Sequence, residues 1–130
     1  MKKLKKGVLL SAMATLGLLV PAVAFASSYN ITYNFDSNLT GPSRSFNGQN
    51  IGVNLNSTYQ GYYLDPSNTF TVQLYRDHWY GDSYIGQGTA PSQESTTIDW
   101  SNVGPGNYNL QMHHQPYGYY VNGSGSIYNY

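Results

Sequence analysis

Beyond residue 26 the chain is written largely in twos. Tyr29, Ile31, Tyr33 and Phe35 take every second place against Asn30, Thr32, Asn34 and Asp36, the period of a strand with one buried face. The same alternation returns at Ile51, Val53 and Leu55, at Phe70, Val72 and Leu74, at Thr96, Ile98 and Trp100, and at Tyr108, Leu110 and Met112. Breaker clusters separate these runs: Asp36 to Ser43, Gln60 to Asn68, Pro91 to Ser95 and Val103 to Gly106. Asn47-Gly48 reads as a hairpin turn that would join Phe46 to the strand at Ile51. Asp77 to Asp82, DHWYGD, reads as a turn-rich connection to a short segment at Tyr84 to Gly86. No window shows apolar residues at helical spacing. The expected class is therefore all-β: one antiparallel β-sandwich domain over residues 27–130, immunoglobulin- or fibronectin-like with about seven strands, or alternatively a small β-barrel.

The closing segment, His113 to Tyr130, reads HHQPYGYYVNGSGSIYNY. Gln115-Pro116-Tyr117-Gly118 suits a turn, because proline presets φ at the second position and glycine fits the fourth. A four-residue hairpin there would set Met112 opposite Val121, Leu110 opposite Gly123 and Tyr108 over Gly125, an aromatic covering a strand glycine. One face then carries Tyr108, Leu110, Met112, Val121 and Ile127. The other carries Asn109, Gln111, His113, Tyr120, Asn122, Ser124, Ser126 and Tyr128. A rival register would turn at Asn122-Gly123 and lose the matched apolar pairs.

The first residues change the composition. Lys2, Lys3, Lys5 and Lys6 precede an apolar run from Val8 to Val20, then Pro21 and Ala24-Phe25-Ala26, the organisation of a bacterial secretory signal peptide cleaved after Ala26. Thirteen apolar residues at about 1.5 Å each fall short of a hydrocarbon core of roughly 30 Å. All the lysines lie in that leader, so residues 27–130 hold Arg44 and Arg76 against six carboxylates, a formal charge of −4. Such a chain lacks the basic footprint that nucleic acid or an anionic membrane requires. Neither partner is expected, nor is membrane insertion after cleavage. Cysteine is absent, so stability must come from a core, an ion or assembly. Fourteen tyrosines supply that core, since each can bury roughly 150–250 Å².

The run Trp100-Ser-Asn-Val-Gly-Pro-Gly-Asn-Tyr108-Asn-Leu110 resembles the corner of immunoglobulin-like and fibronectin-like modules, in which a Pro-Gly turn precedes a strand whose tyrosine closes a Greek key. With FTVQLYR and the Gly-Ser-Gly ending, the chain resembles small exported β-sandwich proteins of Gram-positive bacteria. The resemblance implies an architecture and carries no activity.

Candidate chemistry gathers at DHWYGD. Trp79 and Tyr80 on a turn, flanked by Asp77, Asp82 and His78, can stack on a sugar and hydrogen-bond its hydroxyls. Alternatively, Trp79 caps the core and the aspartates solvate the turn. Asp77 and Asp82 with loop carbonyls are also oxygen ligands of the kind Ca²⁺ takes, without the spacing of an EF-hand. Adjacent strand histidines, His113 and His114, point to opposite faces and cannot share a Zn²⁺. No catalytic constellation is present: Gly123-Ser124-Gly125 is a fragment of a nucleophile elbow inside a strand, and Asp99 belongs to the wetter face.

No metal, cofactor or catalytic residue is therefore expected. The expected binding residues are Trp79, Tyr80, Asp77, Asp82, Tyr120 and Tyr128, and the partner a cell-surface glycan or protein. The leading expectation is a secreted, noncatalytic binding module. A self-assembling extracellular matrix component and a bacteriocin- or toxin-like secreted factor are the alternatives.

Overall fold

The computed structural model describes residues 27–61, 68–114 and 119–130. Among them run nine strands: β1 Ser28–Phe35, β2 Asn38–Thr40, β3 Arg44–Phe46, β4 Ile51–Gly61, β5 Thr69–His78, β6 Gly81–Pro91, β7 Ser95–Trp100, β8 Gly106–His113 and β9 Tyr119–Asn129. They form two antiparallel sheets packed face to face, with no closed barrel. One has the order β2-β8-β5-β6, with β3 also pairing β8, and the other has the order β1-β9-β4-β7. The sandwich is the one the alternation predicts. Two short edge strands, β2 and β3, raise the strand count to nine, and β6 is much longer than the Tyr84 to Gly86 segment expected there.

Alternation places the core. Tyr33, Phe35, Ile51, Val53, Leu55, Val121 and Ile127 come from one sheet and Phe70, Val72, Leu74, Tyr108, Leu110 and Met112 from the other, all buried in one cluster. Strand β5 takes a central place, between β8 and β6. Asn47-Gly48, by contrast, does not close a hairpin, because β3 and β4 lie in different sheets. The polar cap there is Asn129, whose amide donates to Asn47 at 3.3 Å and whose carbonyl oxygen accepts from the Ser27 backbone at 2.7 Å.

The largest correction concerns the closing segment. Strands β8 and β9 do not pair; β9 lies between β1 and β4 in the opposite sheet, with Gly125 opposite Ile31 on one side and Leu55 on the other. In immunoglobulin domains the last strand pairs with the one before it, so the strand order here is different. The turn at 115–118 lies outside the described residues. Asn122-Gly123 sits in mid-strand, which excludes the rival register. Tyr108 does not cover Gly125. Within β9 the aromatic over a strand glycine is instead Tyr33 over Gly123, where an added Cβ would overlap the ring, while at Gly125 a Cβ would collide with the Asn54 carbonyl.

The corner itself is formed. Tyr108 is fully buried, and its hydroxyl donates to the carbonyls of Val103 at 2.8 Å and Gly104 at 2.7 Å. Gly104 has a φ of +79°, which lets the chain double back under the ring. Arg76 lies with its guanidinium 5.7 Å from the same ring and donates to the Pro105 carbonyl at 2.6 Å. Urea unfolding of Leu74→Ala should show a loss of about 2–5 kcal/mol, and Tyr108→Phe a loss of about 1–3 kcal/mol as the corner carbonyls lose their donor. An effect within about 0.5 kcal/mol at either position would be that of a surface site.

Candidate functional site

Strands β5 and β6 form a hairpin with His78 opposite Gly81, leaving Trp79 and Tyr80 as its two-residue tip. Gly81 carries a φ of +129°, open to glycine and strained for other residues. Trp79 is 95% exposed and Tyr80 66% exposed. Trp79 therefore does not cap the core. Both rings are held by local packing: His78 stacks on Tyr80 with centroids 4.7 Å apart, and Trp79 stands edge-on to Tyr80 at 5.5 Å.

Behind the tip, the outer face of β8-β5-β6 is ordered by a bulge. The pairing shifts between Leu74 and Tyr75, so Leu74 faces Gly86 while Tyr75 faces Tyr84, and Ile85 is the extra residue. Bulges re-aim the side chains that follow them. Tyr84 thus comes beside Tyr75, their rings edge-to-face at 5.7 Å, and Asp82 comes directly opposite Asp77. Without the extra residue Ile85 and Ser83 would hold those places. Tyr84 remains 53% exposed.

Like charges directly across a strand pair are destabilising. The offset comes from Asn109 of β8, which points away from the core yet is only 5% exposed. Its amide nitrogen donates to Asp77 and, at 3.3 Å, to Asp82. Burial alone would raise the Asp77 carboxyl, but hydrogen bonds with Ser43, Asp82 and Asn109 and the charge of His78 outweigh it and hold the group below the ordinary carboxylate range. The row continues through Gln111 to Asn109 at 3.5 Å, Gln73 to Gln87 at 3.3 Å and Tyr75 to Gln73 at 3.4 Å. The result is a platform of two tyrosines and several oriented amides, with a tryptophan standing at its end.

Four of the six expected binding residues, Trp79, Tyr80, Asp77 and Asp82, come together on this hairpin. Tyr120 and Tyr128 do not join them, because β9 belongs to the opposite sheet. There Tyr120 pairs with Gln60 near one end, and Tyr128 lies over Gly52 near the other. Tyr128 is raised above the ordinary phenol range by burial and then by the Asp99 charge. The Tyr130 hydroxyl donates to Asp99 at 3.0 Å. Between these ends run uncharged rows such as Thr32-Ser124-Asn56-Ser95.

No protein-family model and no curated protein matches the chain. Its chemistry must be read from the geometry. Tyr75, Tyr84, Asn109, Gln73, Gln87 and Gln111 are members of the platform that the residue pattern did not single out. The available signal was the polar parity of Gln73, Tyr75 and Asp77 within FTVQLYRD. Among the described residues no group of three or more His, Cys, Asp or Glu side chains comes together as a metal cage. His113 lies in β8, while His114 is buried with its ring stacked 4.4 Å from Tyr119 and against Phe35.

A carboxylate held low in the folded state stabilises the fold above the ordinary aspartate value, near 3.9, and that contribution is lost as pH falls through the folded value. The urea midpoint should therefore drop between pH 5 and pH 2–3, and Asp77→Asn should flatten the decline. A midpoint that rises toward acid would show that the two carboxylates repel each other more than Asn109 and Ser43 hold them.

Proposed function

We propose that this chain is an exported, noncatalytic carbohydrate-binding module, with residues 1–26 as its leader and the outer face of β8-β5-β6 as its binding face. The observation that carries the reading is the tip of the β5-β6 hairpin. A tryptophan 95% exposed and edge-on to Tyr80 is costly to leave in water, and it sits at the tip of the hairpin whose strands carry Tyr84, Tyr75 and an amide-bearing row. Exposed aromatics of this kind mark interaction sites. Rigid amphipathic rings give contact area at little side-chain entropy, and oriented amides supply donors and acceptors to hydroxyls.

A neutral or weakly charged glycan fits better than an anionic one. Asp77 and Asp82 flank the platform, and the two arginines of residues 27–130 are used elsewhere, Arg76 at the Tyr108 corner and Arg44 over Tyr29. In affinity electrophoresis against neutral polysaccharides and in cell-wall pull-down, Trp79→Ala and Tyr84→Ala should each weaken binding tenfold or more, whereas Tyr120→Ala on the other sheet should leave it unchanged. Binding that survives both substitutions, or no retardation by any polysaccharide, would refute the reading.

The free edge of β1 supports a second reading, self-assembly through strand pairing. Among the described residues this strand forms a backbone ladder with β9 alone, and no charged residue lies within Ser28–Phe35 to guard its open side. A chain that stays monomeric in sedimentation at high concentration would remove that reading without touching the first.

A further inference from the structure

The two seams where the sheets meet are built differently. On the β6-β7 side Trp100 packs over Gly86 and Ile98 over Gly88, and the missing side chains let the edges close. On the other side β1 lies against the β2-β3 edge. At one end Tyr29 stands edge-on to Phe46 at 5.3 Å and donates to the Ser45 carbonyl at 3.0 Å. At the other end of β1 Phe35 packs against Phe70 of the central strand β5 at 5.6 Å. Between them a cavity of about 230 Å³ remains, walled by Ile31, Tyr33, Leu39, Leu110 and Met112, with Arg44 at its side.

Arg44 is an unusual wall for such a space. Its guanidinium sits 5.0 Å from the centre of the Tyr29 ring, and its Nε is buried with no hydrogen-bond partner. No carboxylate lines the cavity. The hydroxyl of Tyr33 is engaged with Ser57 at 2.6 Å. A guanidinium at the wall of a space that holds no carboxylate lacks a counter-charge there, and an anion is the partner that returns most. The apolar walls restrict which anion. A dianion would leave one charge uncompensated beside the apolar walls, while a monoanion with a hydrocarbon tail matches both the cation and those walls. At roughly 30 Å³ per water-sized group, the space holds about eight heavy atoms.

We propose that this seam cavity is a binding site for a small monocarboxylate of about six carbons in all, with an apolar tail of about five. The carboxylate pairs with the Arg44 guanidinium at the cavity's side, and the tail lies against Ile31, Leu39, Leu110 and Met112. The site is separate from the hairpin platform and stands whether or not that face binds glycan.

The test is an ¹H–¹⁵N NMR titration of the protein with hexanoate, hexan-1-ol and acetate at fixed ionic strength. Hexanoate should give saturable shifts at the amides of Ile31, Leu39, Arg44 and Leu110, with hexanol and acetate at least tenfold weaker. Arg44→Gln should lower hexanoate affinity tenfold or more. Leu39→Phe, which fills the space without altering the charge, should abolish binding, and this keeps the proposal testable should Arg44→Gln fail to fold. Hexanol binding as tightly as hexanoate, no saturation at these amides, or hexanoate affinity unchanged by either substitution would overturn it.

Discussion

Strand β9 holds one of the two sheets together by lying between β1 and β4 and pairing along nearly its whole length with both. Without it β1 would have no partner, and β4 would keep only the six-residue β7. The insertion depends on close approach. At Gly125 the neighbouring backbone of Asn54 already occupies the space of a Cβ, and at Gly123 the Tyr33 ring does. The Gly-Ser-Gly run is thus a requirement of packing in the middle of a sheet. Asn129 then ties the end of the strand to Ser27 and Asn47.

That placement shapes everything on the other sheet. Because β9 does not pair with β8, the free side of β8 is taken by β2 and β3. Ser43, just before β3, is thereby close enough to hydrogen-bond Asp77. The outer face of β8-β5-β6 is left to amides, carboxylates and tyrosines. The same division leaves β1 and the β2-β3 edge facing each other across a seam that Tyr29 and Phe46 close at one end.

Which residues are buried was legible in the period of two, down to Tyr108, Leu110, Met112, Val121 and Ile127 sharing one core. Which sheet each strand joins was not. Both sheets of a sandwich send their inward residues to the same core, so parity cannot distinguish a hairpin partner from a strand across the core. Hence a Pro-Tyr-Gly turn signal between β8 and β9, and Asn47-Gly48 between β3 and β4, both suggested pairings that do not exist. At the hairpin tip, DHWYGD was legible as a turn from its composition, but the exposure of Trp79 was not, since a large ring beside a turn can fold inward or stand out. Tyr84 and Asp82 reached their places through a bulge at Ile85, and a one-residue slip leaves no mark in an alternation already interrupted by Gly86 and Gly88. Asn109 was readable as outward-facing, but its burial depends on two aspartates from other strands.

The most direct measurement of this architecture is a set of cross-strand NOEs at the C-terminal strand. With β9 between β1 and β4, the Hα protons of Gly123 and Gly125 should give contacts to Tyr33, Ile31, Ser57 and Leu55, the residues opposite them. Contacts from Gly125 to Tyr108 and from Val121 to Met112 as paired backbone neighbours, with none to β1 or β4, would mean that β8 and β9 form a hairpin in one sheet and would contradict the account.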